Sequence, residues 1–558
     1  MTRPKPSLSA VARQALEQIV GARWVTTDPA LLTAHAWNTG VGKVPGSEKV
    51  GPVWPLAAVL PATTEEVAAI VKCCLRHGLN FRPHSTGYGS MSNVKDPHSI
   101  VLDLRRMTTL EIDPAHRMAI VGPYVTAGML QAVALKHGLT CHIVGAGPAH
   151  SPLASATSLI GVGITSQGTS MNQRNLLAWE WVTPQGEIVR GGAAGAGAGW
   201  FTGEGPGPGV RGMVRGFVGG SGGLGVFTKM GYKLYPVPVQ GPLADTGRLP
   251  QLGLPIPGNA GFFQAVWPDW ERHREATFAL IDEHLCFAML RMPADHIGWT
   301  VTGTNADYVR QLREGTLSDV ARAEHDKSWT LLTFSSSAAE HAWRSGAVRD
   351  IVERTGGRLL PLRQDDAEVL YRNLFTSQYV PRVLRPSGGI TTSFGVLDSF
   401  HFMPRVIEAG EECLGGDNRP GGPLVEGSRE ENWAWPHEGR YMWSENIVDF
   451  DPASETARVA AARALLSHYR ICWQQPVGTL PLGLGPLMEV QGERISAPQH
   501  LIRAVKHHLD PVDASRSPDF IPFQMPALLQ KVLPPLRPVL FSKPVLGLAA
   551  RGIAKAGM

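Results

Sequence analysis

Two glycine-rich segments have the composition of loops that hold an anion with backbone N–H groups. The first, GGSGGLG, contains a GxGxxG pattern at Gly220, Gly222 and Gly225. That pattern binds the pyrophosphate of a dinucleotide when a strand precedes it and a helix follows, because the helix N-terminus then faces the phosphates. The residues that follow here, VFTKMGYKLYPVP, are rich in strand formers and end in proline. We therefore do not expect a Rossmann nucleotide site.

The second segment, FRPHSTGYGSMSN, runs from Phe81 to Asn93 between two predicted strands. Consecutive small residues allow several backbone N–H groups to point into one concavity, which forms a nest for a phosphate without any lysine. A plain polar connection between strands is the alternative interpretation. The segment by itself leaves both open.

The composition of the 558-residue chain argues against several functional classes. Lys and Arg number 52 and Asp and Glu number 48, so the net charge is only +4, and we expect no nucleic-acid partner. The six cysteines form no CxxC pair and no HExxH pattern occurs, so we expect no disulfide framework and no metal site. We also expect no secretory signal, no membrane-spanning segment and a cytoplasmic location.

The elements that would position these loops mix helices with strands. Thr63 and Thr64, followed by Glu65 and Glu66, predict a helix start, and Gly78 predicts its end. A second amphipathic helix, TAGMLQAVALKHGL, is predicted to end at Gly138. Pro184 to Gly186 predicts a hairpin turn. Strands are predicted for SIVLDL, MAIVGPYV, LAWEWVT, EIVRGG and GVFTKMGYKLYPVP. This mixture of crossovers and hairpins predicts an α+β fold.

The order of these segments resembles one flavoprotein family. TTEEVAAIVKCCLRHGL, HSTGYGSMSN, SIVLDL, MAIVGPYV, LAWEWVTPQGEIVRGG and GGSGGLGVFTKMGYKLYPVP follow one another as in the FAD-binding domain of the vanillyl-alcohol oxidase/p-cresol methylhydroxylase (PCMH) family. GYGS at 87–90, GVFTKMG at 225–231 and RPSGGITTSFGVLDS at 385–399 are similar to its 4-alkylphenol-oxidising branch. The resemblance implies a PCMH-type FAD-binding domain of two α+β subdomains and an α+β cap domain with a large antiparallel sheet.

Domain limits follow from this resemblance and from a linker-like stretch rich in Pro and Gly at 241–258. We predict an FAD-binding domain over residues 1–240, a cap over 241–475 and a C-terminal segment, 476–558, that returns to the FAD-binding domain. Residues 520–558 form an apolar tail with five basic residues and no acidic ones. The tail either lies on a membrane surface or docks on the chain's own body or on a second subunit. Its prolines favour docking, because they interrupt a long helix.

The resemblance also implies a function. We expect an FAD-linked oxidoreductase that abstracts hydride from a C–H bond next to oxygen or nitrogen of an organic, rather hydrophobic small molecule, with O2 or another acceptor taking the electrons. Two alternatives stay open. One is a flavin-retaining binding scaffold without redox turnover, and the other is an alcohol or 2-hydroxy-acid dehydrogenase of the same fold. A homodimer is compatible with this family.

The resemblance places the FAD pyrophosphate on the loop from Ser85 to Ser90. For the glycines among the implied contacts a tight turn is the alternative interpretation, and for Val226 it is a core strand. The implied FAD contacts are Ser85, Thr86, Gly87, Tyr88, Gly89, Ser90, Ala154, Thr157, Ser158, Gly161, Ile164, Thr165, Gly223, Gly225 and Val226.

Some family features are missing, and their absence predicts non-covalent FAD. Relatives attach FAD through a His in the pyrophosphate loop, a Cys in the next segment, or a His or Tyr in a cap strand. The loop position here is Tyr88, the segment 151–161 has no Cys, and the cap position falls on Trp443 or Ser444. We interpret the nearby His84 as a hydrogen-bonding residue of the loop rather than an attachment site.

The phenolate-binding residues of the 4-alkylphenol-oxidising branch are also missing. Two Tyr and one Arg stabilise phenolate in those relatives, and an Asp lies near flavin N5. The corresponding positions hold Ala127, Val477, Gly478 and Thr169. We therefore doubt a 4-hydroxybenzylic substrate and expect a mostly apolar pocket that is lined by small residues.

Arg440 and Tyr441 are the remaining catalytic candidates in the cap. The resemblance places them on a strand that faces the flavin. There Arg440 would hold an anionic or carbonyl oxygen and Tyr441 would pass a proton. An ordinary half-buried strand with a surface Arg is the alternative interpretation.

Overall fold

The computed structural model describes most of the chain, and several predicted site residues lie outside the described part. Tyr88, Gly89, Ser90 and the first two glycines of GxGxxG are among these. The described residues are 7–36, 53–87, 94, 96–145, 147–158, 161–192, 223–237, 256–322, 327–379, 389–425, 432–437, 439–475, 477, 499–516 and 527–556.

The N-terminal part of the chain builds a small sheet with both parallel and antiparallel pairs. Its strands are β1 (Val25–Thr26), β2 (Ala58–Val59), β3 (Asn80–His84) and β4 (Ser99–Asp103), in the order β1-β2-β4-β3. Strands β2 and β3 both run parallel to β4. The helices of this part are α1 (Ala10–Val20), α2 (Pro29–Ala36) and α3 (Thr64–His77). Helix α3 connects β2 to β3, as a crossover requires.

Helix α3 forms where the sequence predicts it. The Thr63 hydroxyl accepts a hydrogen bond from the Glu66 N–H at 3.1 Å, which caps the first turn. Gly78 ends the helix with φ of 63°, a left-handed conformation that glycine adopts without strain. Val67, Ile70 and the other apolar positions of its inner face are buried.

A second sheet is antiparallel and carries the predicted hairpin. Its strands are β5 (Leu110–Asp113), β6 (Met118–Val121), β8 (Leu176–Val182), β9 (Ile188–Gly191) and β10 (Val226–Lys233), in the order β5-β6-β10-β8-β9. The strands β7 (Leu139–Thr140) and β11 (Tyr235–Pro236) pair beside it. The helices here are α4 (Ala127–Leu135), α5 (Pro152–Thr157), α6 (Ser166–Thr169) and α7 (Asn172–Asn175). The Thr64 hydroxyl donates to Glu180 at 2.6 Å and so ties α3 to this sheet.

The cap contains a large antiparallel sheet, as the resemblance implied. One part consists of β12 (Ala260–Val266), β13 (Ala288–Leu290), β14 (Ser328–Phe334) and β15 (Arg358–Leu359), in the order β13-β14-β12-β15. The other consists of β16 (Gly389–Ser399), β17 (Asn432–Pro436) and β18 (Tyr441–Phe450), in the order β16-β18-β17. Two hydrogen bonds between Arg291 and Ala434, of 2.8 and 3.0 Å, join the two parts. A single bridge thus connects the four-stranded sheet to the three-stranded sheet.

Helices cover one face of the cap sheet. This face buries Trp329, Leu331, Ala434 and Met442 against helices α8 (Trp270–Asp282), α11 (Ala338–Arg354) and α13 (Met403–Leu414). The opposite face packs on α12 (Gln364–Thr376) and on residues of the N-terminal half, including Val162 and Ile164. Side chains alternate along a strand, so the two faces of β17 and β18 meet different parts of the molecule. Helices α9 (Ala294–Val301) and α10 (Asn305–Glu314) complete this region.

The C-terminal part returns to the body of the molecule. It comprises α14 (Glu455–Gln474), α15 (Gln499–Leu509), α16 (Ala527–Leu540) and α17 (Lys543–Ala556). Helix α17 packs Leu546 and Ala550 into a cluster with Leu466 and Tyr469 of α14, so this part of the tail docks on the chain itself. Among the described helices, none is both long and apolar enough to cross a bilayer.

Candidate functional site

The loop predicted to bind phosphate begins at the carboxyl end of β3. Ser85 and Thr86 are half-buried, and Gly87 is exposed with φ of 72°. A Cβ atom on Gly87 would lie 2.6 Å from His84 Nε2, so glycine allows the chain to turn closely over this ring.

A buried polar cluster supports this loop. The rings of His84 and His35 are 5.1 Å apart, and His35 Nε2 lies 3.5 Å from a carboxylate oxygen of Asp103. Arg105 donates to the same carboxylate at 2.7 Å. Burial lowers the pKa of His84 to about 4, and its Nδ1 has no hydrogen-bond partner among the described residues. His84 is therefore a neutral ring with a nitrogen available beside the loop.

Four glycines lie where no larger residue would fit, and we call them the glycine cradle: Gly145, Gly161, Gly163 and Gly168. A Cβ on Gly161 would overlap Asn172, and one on Gly163 would overlap the carbonyl oxygen of Ile143. On Gly168 it would lie 2.5 Å from the Phe287 ring. Three of the predicted cofactor contacts, Gly161, Ile164 and Thr165, thus lie in a tightly packed segment.

Helix α5 holds the other predicted contacts of this region. The Ser151 hydroxyl caps the helix by accepting from the Ala154 N–H at 3.3 Å. Thr157 donates its hydroxyl to the Leu153 carbonyl at 2.8 Å and is fully buried. Ala154 and Ser158 are half-buried, so they remain accessible to a ligand from the same side.

Two buried histidines, His142 and His150, lie beside the glycine cradle. His142 Nδ1 is 3.0 Å from the Thr169 hydroxyl, which is 2.9 Å from the Thr165 hydroxyl. Burial lowers the pKa of His142 to about 3 and that of His150 to about 4, so both rings are neutral. Thr169, which replaces the acid expected from the resemblance, therefore belongs to a neutral hydrogen-bonded chain. The sequence analysis missed both histidines, although they flank the glycine-containing segment after α4.

The C-terminal part secures the loop of Gly223 and Gly225. The Lys506 ammonium group donates to the Gly223 and Ser515 carbonyls, both at 2.8 Å, and to Asp510 at 2.5 Å. The Gly225 N–H donates to the Ser515 hydroxyl at 3.1 Å. Val226 is a fully buried strand residue paired with Val182. This region is consequently fixed by residues that are distant in sequence.

The cap contributes an aromatic wall of three tryptophans, Trp433, Trp435 and Trp443, to the cluster that contains Val162 and Ile164. The rings of Trp435 and Trp443 are 6.2 Å apart, and a Cβ on Gly145 would lie 2.8 Å from the Trp435 ring. The Trp435 indole N–H is buried and has no hydrogen-bond partner in the described part of the chain. The predicted apolar character holds on this face, but large aromatic residues provide it.

Arg440 and Tyr441 are not part of this buried cluster. The Arg440 side chain is 54% exposed, pairs with Asp282 of α8 and lies over the Phe278 ring at 4.5 Å. Tyr441 is 57% exposed, and its ring lies 5.9 Å from that of His437. Val477 packs on the helix-covered side of the cap sheet. The structure thus does not bring Arg440 together with His142 and Thr169, and the catalytic roles of Arg440 and Tyr441 stay predictions.

A surface groove of about 640 Å³ is lined in part by Gln167 and by Gly168 of the glycine cradle. Phe287, Phe334 and Val237 supply apolar walls, and Gln167, Ser335 and Arg344 supply polar groups. Both lining residues of α6 are close in sequence to the buried Thr169.

Comparison with known proteins identifies the region that contains the cradle. Residues 55–192 match the family model for an FAD binding domain. This part of the chain is an FAD-binding domain. It includes the strands β2 to β9, the start of the loop at Ser85 and helix α5. The proposed contacts at Gly223, Gly225 and Val226 lie beyond the matched residues.

The FAD-binding domain has relatives among characterised proteins. The chain is 30% identical over 194 residues to the 4-cresol dehydrogenase [hydroxylating] flavoprotein subunit of Pseudomonas putida, an alignment that covers 33% of this chain and 36% of the relative. It is 32% identical over 182 residues to a D-lactate dehydrogenase of Archaeoglobus fulgidus, covering 32% and 38%. The chain thus spans little more than a third of the length of these relatives.

The similarity of the fold extends much further. A crystal structure of p-cresol methylhydroxylase with substrate bound superposes with a TM-score of 0.69 at 16% identity, covering 93% of this chain and 98% of that one. The predicted resemblance and the PCMH-type α+β fold are therefore confirmed.

The residues present fit FAD. The glycine cradle lets the chain pack closely against Ile143, Asn172 and Phe287 and so fixes the segment that the resemblance places against FAD. The buried His84 and Trp435 nitrogens lack partners among the described residues, and an unsatisfied buried polar atom is costly unless a ligand supplies the partner.

Proposed function

We propose that this chain is an FAD-dependent oxidoreductase that abstracts hydride from a C–H bond next to oxygen or nitrogen of an organic, rather hydrophobic substrate. The observation that carries the proposal is the FAD-binding domain at residues 55–192 with its glycine cradle. The names of the relatives, a cresol dehydrogenase and a lactate dehydrogenase, support redox chemistry. O2 or another acceptor would take up the electrons.

In this proposal FAD is held by the loop that starts at Ser85, by α5 and by the segment 161–165. Ser85, Thr86 and Gly87 would offer backbone N–H groups to the pyrophosphate, together with the predicted contacts Tyr88, Gly89 and Ser90. When bound, FAD supplies the hydride acceptor. The aromatic wall excludes water from the reacting side, and the neutral His142 orients the Thr169 hydroxyl.

We further propose that FAD is bound without a covalent link. Trp443 lies within the aromatic wall, and its indole does not form a flavin bond. Ser444 pairs with Ala434, whose side chain packs on the helix-covered face of the sheet, so alternation directs Ser444 away from the FAD-binding domain. After acid precipitation of the purified protein, the yellow colour should be in the supernatant. Colour retained in the pellet would contradict this part of the proposal.

The 640 Å³ groove is the route that we propose for the substrate. Its mixture of Phe287 and Phe334 with Ser335 suits a ligand that is mostly apolar and carries a polar group. The Ala127 and Thr169 positions supply no phenolate-stabilising charge. We therefore expect benzylic or aliphatic alcohols or amines to react better than 4-alkylphenols.

The domain limits at residues 240 and 475 remain part of the proposal. The Pro- and Gly-rich stretch at 241–258 lies close to the first limit. The contacts of Lys506 with Gly223 and of Ser515 with Gly225 support a C-terminal segment that closes back on the FAD-binding domain.

Anaerobic photometry of the holoprotein tests the activity. A panel of alcohols, 2-hydroxy acids, amines and 4-alkylphenols is added in turn, and the flavin absorbance is followed. Bleaching by one class supports the proposal and names the substrate class. A flavin that dithionite reduces but that no member of the panel bleaches would favour the binding scaffold instead. Arg440→Ala and Tyr441→Phe variants test the predicted catalytic roles by their bleaching rates.

A further inference from the structure

Helix α16 presents an uncovered apolar face at the end of the chain. Leu528, Leu536 and Val539 are 71%, 46% and 58% exposed. At 100° per residue these three positions lie within about 80° of one another around the helix axis, so they form one stripe. Leu548 of the neighbouring α17 is 66% exposed. We call this set of four side chains the tail face.

The tail face stands apart from the docked part of the tail. Leu546 and Ala550 of α17 are buried against α14, and the Phe541 ring stacks on Trp473 at 5.3 Å between centroids. Those contacts fix the start and the inner side of α17. On α16, by contrast, Val532, Leu533 and Leu540 are half-buried, whereas the apolar stripe is exposed to solvent.

Basic residues accompany the tail face. Lys531, Lys543 and Arg551 are exposed, and no ion pair in the described part of the chain involves them. Residues 520–558 contain five basic residues and no acidic residue. An apolar stripe bordered by cations is the pattern of helices that lie in a membrane interface, where apolar side chains enter the acyl boundary and cations meet lipid phosphates.

We propose that the tail face binds the surface of an anionic phospholipid membrane. A second copy of the chain is the less suitable occupant, because a twofold contact would bring this uniformly basic segment against itself. The exposed apolar side chains would enter the headgroup boundary, and the three cations would contact lipid phosphates. The body remains outside the bilayer.

Vesicle flotation of the full-length holoprotein tests this proposal. The protein should float with phosphatidylcholine vesicles that contain phosphatidylserine and should not float with phosphatidylcholine alone. High salt should release it, because it screens the cations. Each basic residue near the surface strengthens binding about fivefold, so a triple Lys531→Gln, Lys543→Gln, Arg551→Gln variant should bind on the order of a hundredfold more weakly.

The apolar contribution is tested by Leu528→Glu combined with Val539→Glu, which should abolish flotation. Leu312→Glu is the matched control, because Leu312 is 54% exposed on a helix, α10, that has no buried residue. Unchanged flavin absorbance and melting temperature show that each variant is folded. The proposal would be overturned if the wild-type protein did not float with anionic vesicles, or if the double variant floated as well as the wild type. A dimer that the double variant dissociates, without any flotation of the wild type, would assign the face to a second copy.

Discussion

Replacing Lys506 with methionine should release the C-terminal segment from the FAD-binding domain. The Lys506 ammonium group is 5% exposed and bonds to Asp510, whose side chain is 1% exposed, and to two backbone carbonyls. Methionine has a similar length but no charge and no donor. The substitution would leave the Asp510 carboxylate buried with only the Ala514 and Ser515 N–H groups as hydrogen-bond partners among the described residues, at 2.9 and 2.8 Å.

The expected magnitude follows from the burial of this pair. Removing one partner of a buried ion pair costs about 3–5 kcal/mol, because the other charge is left uncompensated. Each 1.4 kcal/mol is a factor of ten, so the local opening of residues 510–516 should become at least about a hundredfold more frequent. FAD affinity should fall too, since Gly223 and Gly225 lose their anchor.

Amide hydrogen exchange at Ala514 and Ser515 measures the local opening, and titration of the apoprotein with FAD measures affinity. Arg13→Met removes the Arg13–Glu17 ion pair, in which the arginine is 50% exposed, and should change stability by less than about 1 kcal/mol. Adding Asp510→Asn to the methionine variant should recover part of the loss, because it removes the unpaired charge. Exchange rates within tenfold of wild type in the single variant would refute the reasoning.

Three other predictions concern the cradle, acid stability and the thiols. Gly163→Ala should prevent FAD binding, because the new Cβ would overlap the Ile143 carbonyl. The control Gly346→Ala lies in a helix with open space around it and should raise the free energy of unfolding by about 0.5–1 kcal/mol. Flavin retention and thermal melts compare the two variants. In the folded chain the pKa values of His142 and His150 are about 3 and about 4, below the ordinary 6.5. The unfolded state therefore binds more protons, so the contribution of the two histidines to stability should be complete above pH 6.5 and decline as pH falls toward 4. Flavin release measured against pH checks this, and a His142→Gln variant should show a shallower dependence. All six cysteines are buried, and burial raises the pKa of Cys286 to about 12, so iodoacetamide should label the native protein slowly and the urea-unfolded protein fully, as read by mass spectrometry.

Local elements were predictable because short-range physics specifies them. The Thr63 cap, the left-handed Gly78 and the Pro184–Gly186 turn each depend on a few adjacent residues, and each forms where the sequence indicates. The order of the segments also predicted the FAD-binding domain and the PCMH-type fold, since that order reflects a topology and not a single motif. Loop residues such as Gly161 were predicted as cofactor contacts in the same way, and that role stays a prediction.

The site's surroundings were less predictable. Arg440 appeared to be a cap residue facing the cofactor, yet it pairs with Asp282 at the surface, because the register of β18 and the packing of α8 decide its neighbours. No sequence motif around His142 indicated that it belongs to the site. Its place beside Thr169 depends on the chain folding back between residues 142 and 169, which no local spacing reveals.

The sequence by itself determined the helix caps, the turns, the glycine positions and the kind of cofactor that this fold carries, because these depend on backbone conformation and on the order of segments. Only the tertiary structure decided which side chains share the buried space. The bridge between Arg291 and Ala434 joins the cap strands, the alternation of β17 directs its tryptophans toward Gly145, and Lys506 reaches Gly223 from the far end of the chain. Such contacts bring together residues that are remote in sequence, and their geometry is fixed by packing.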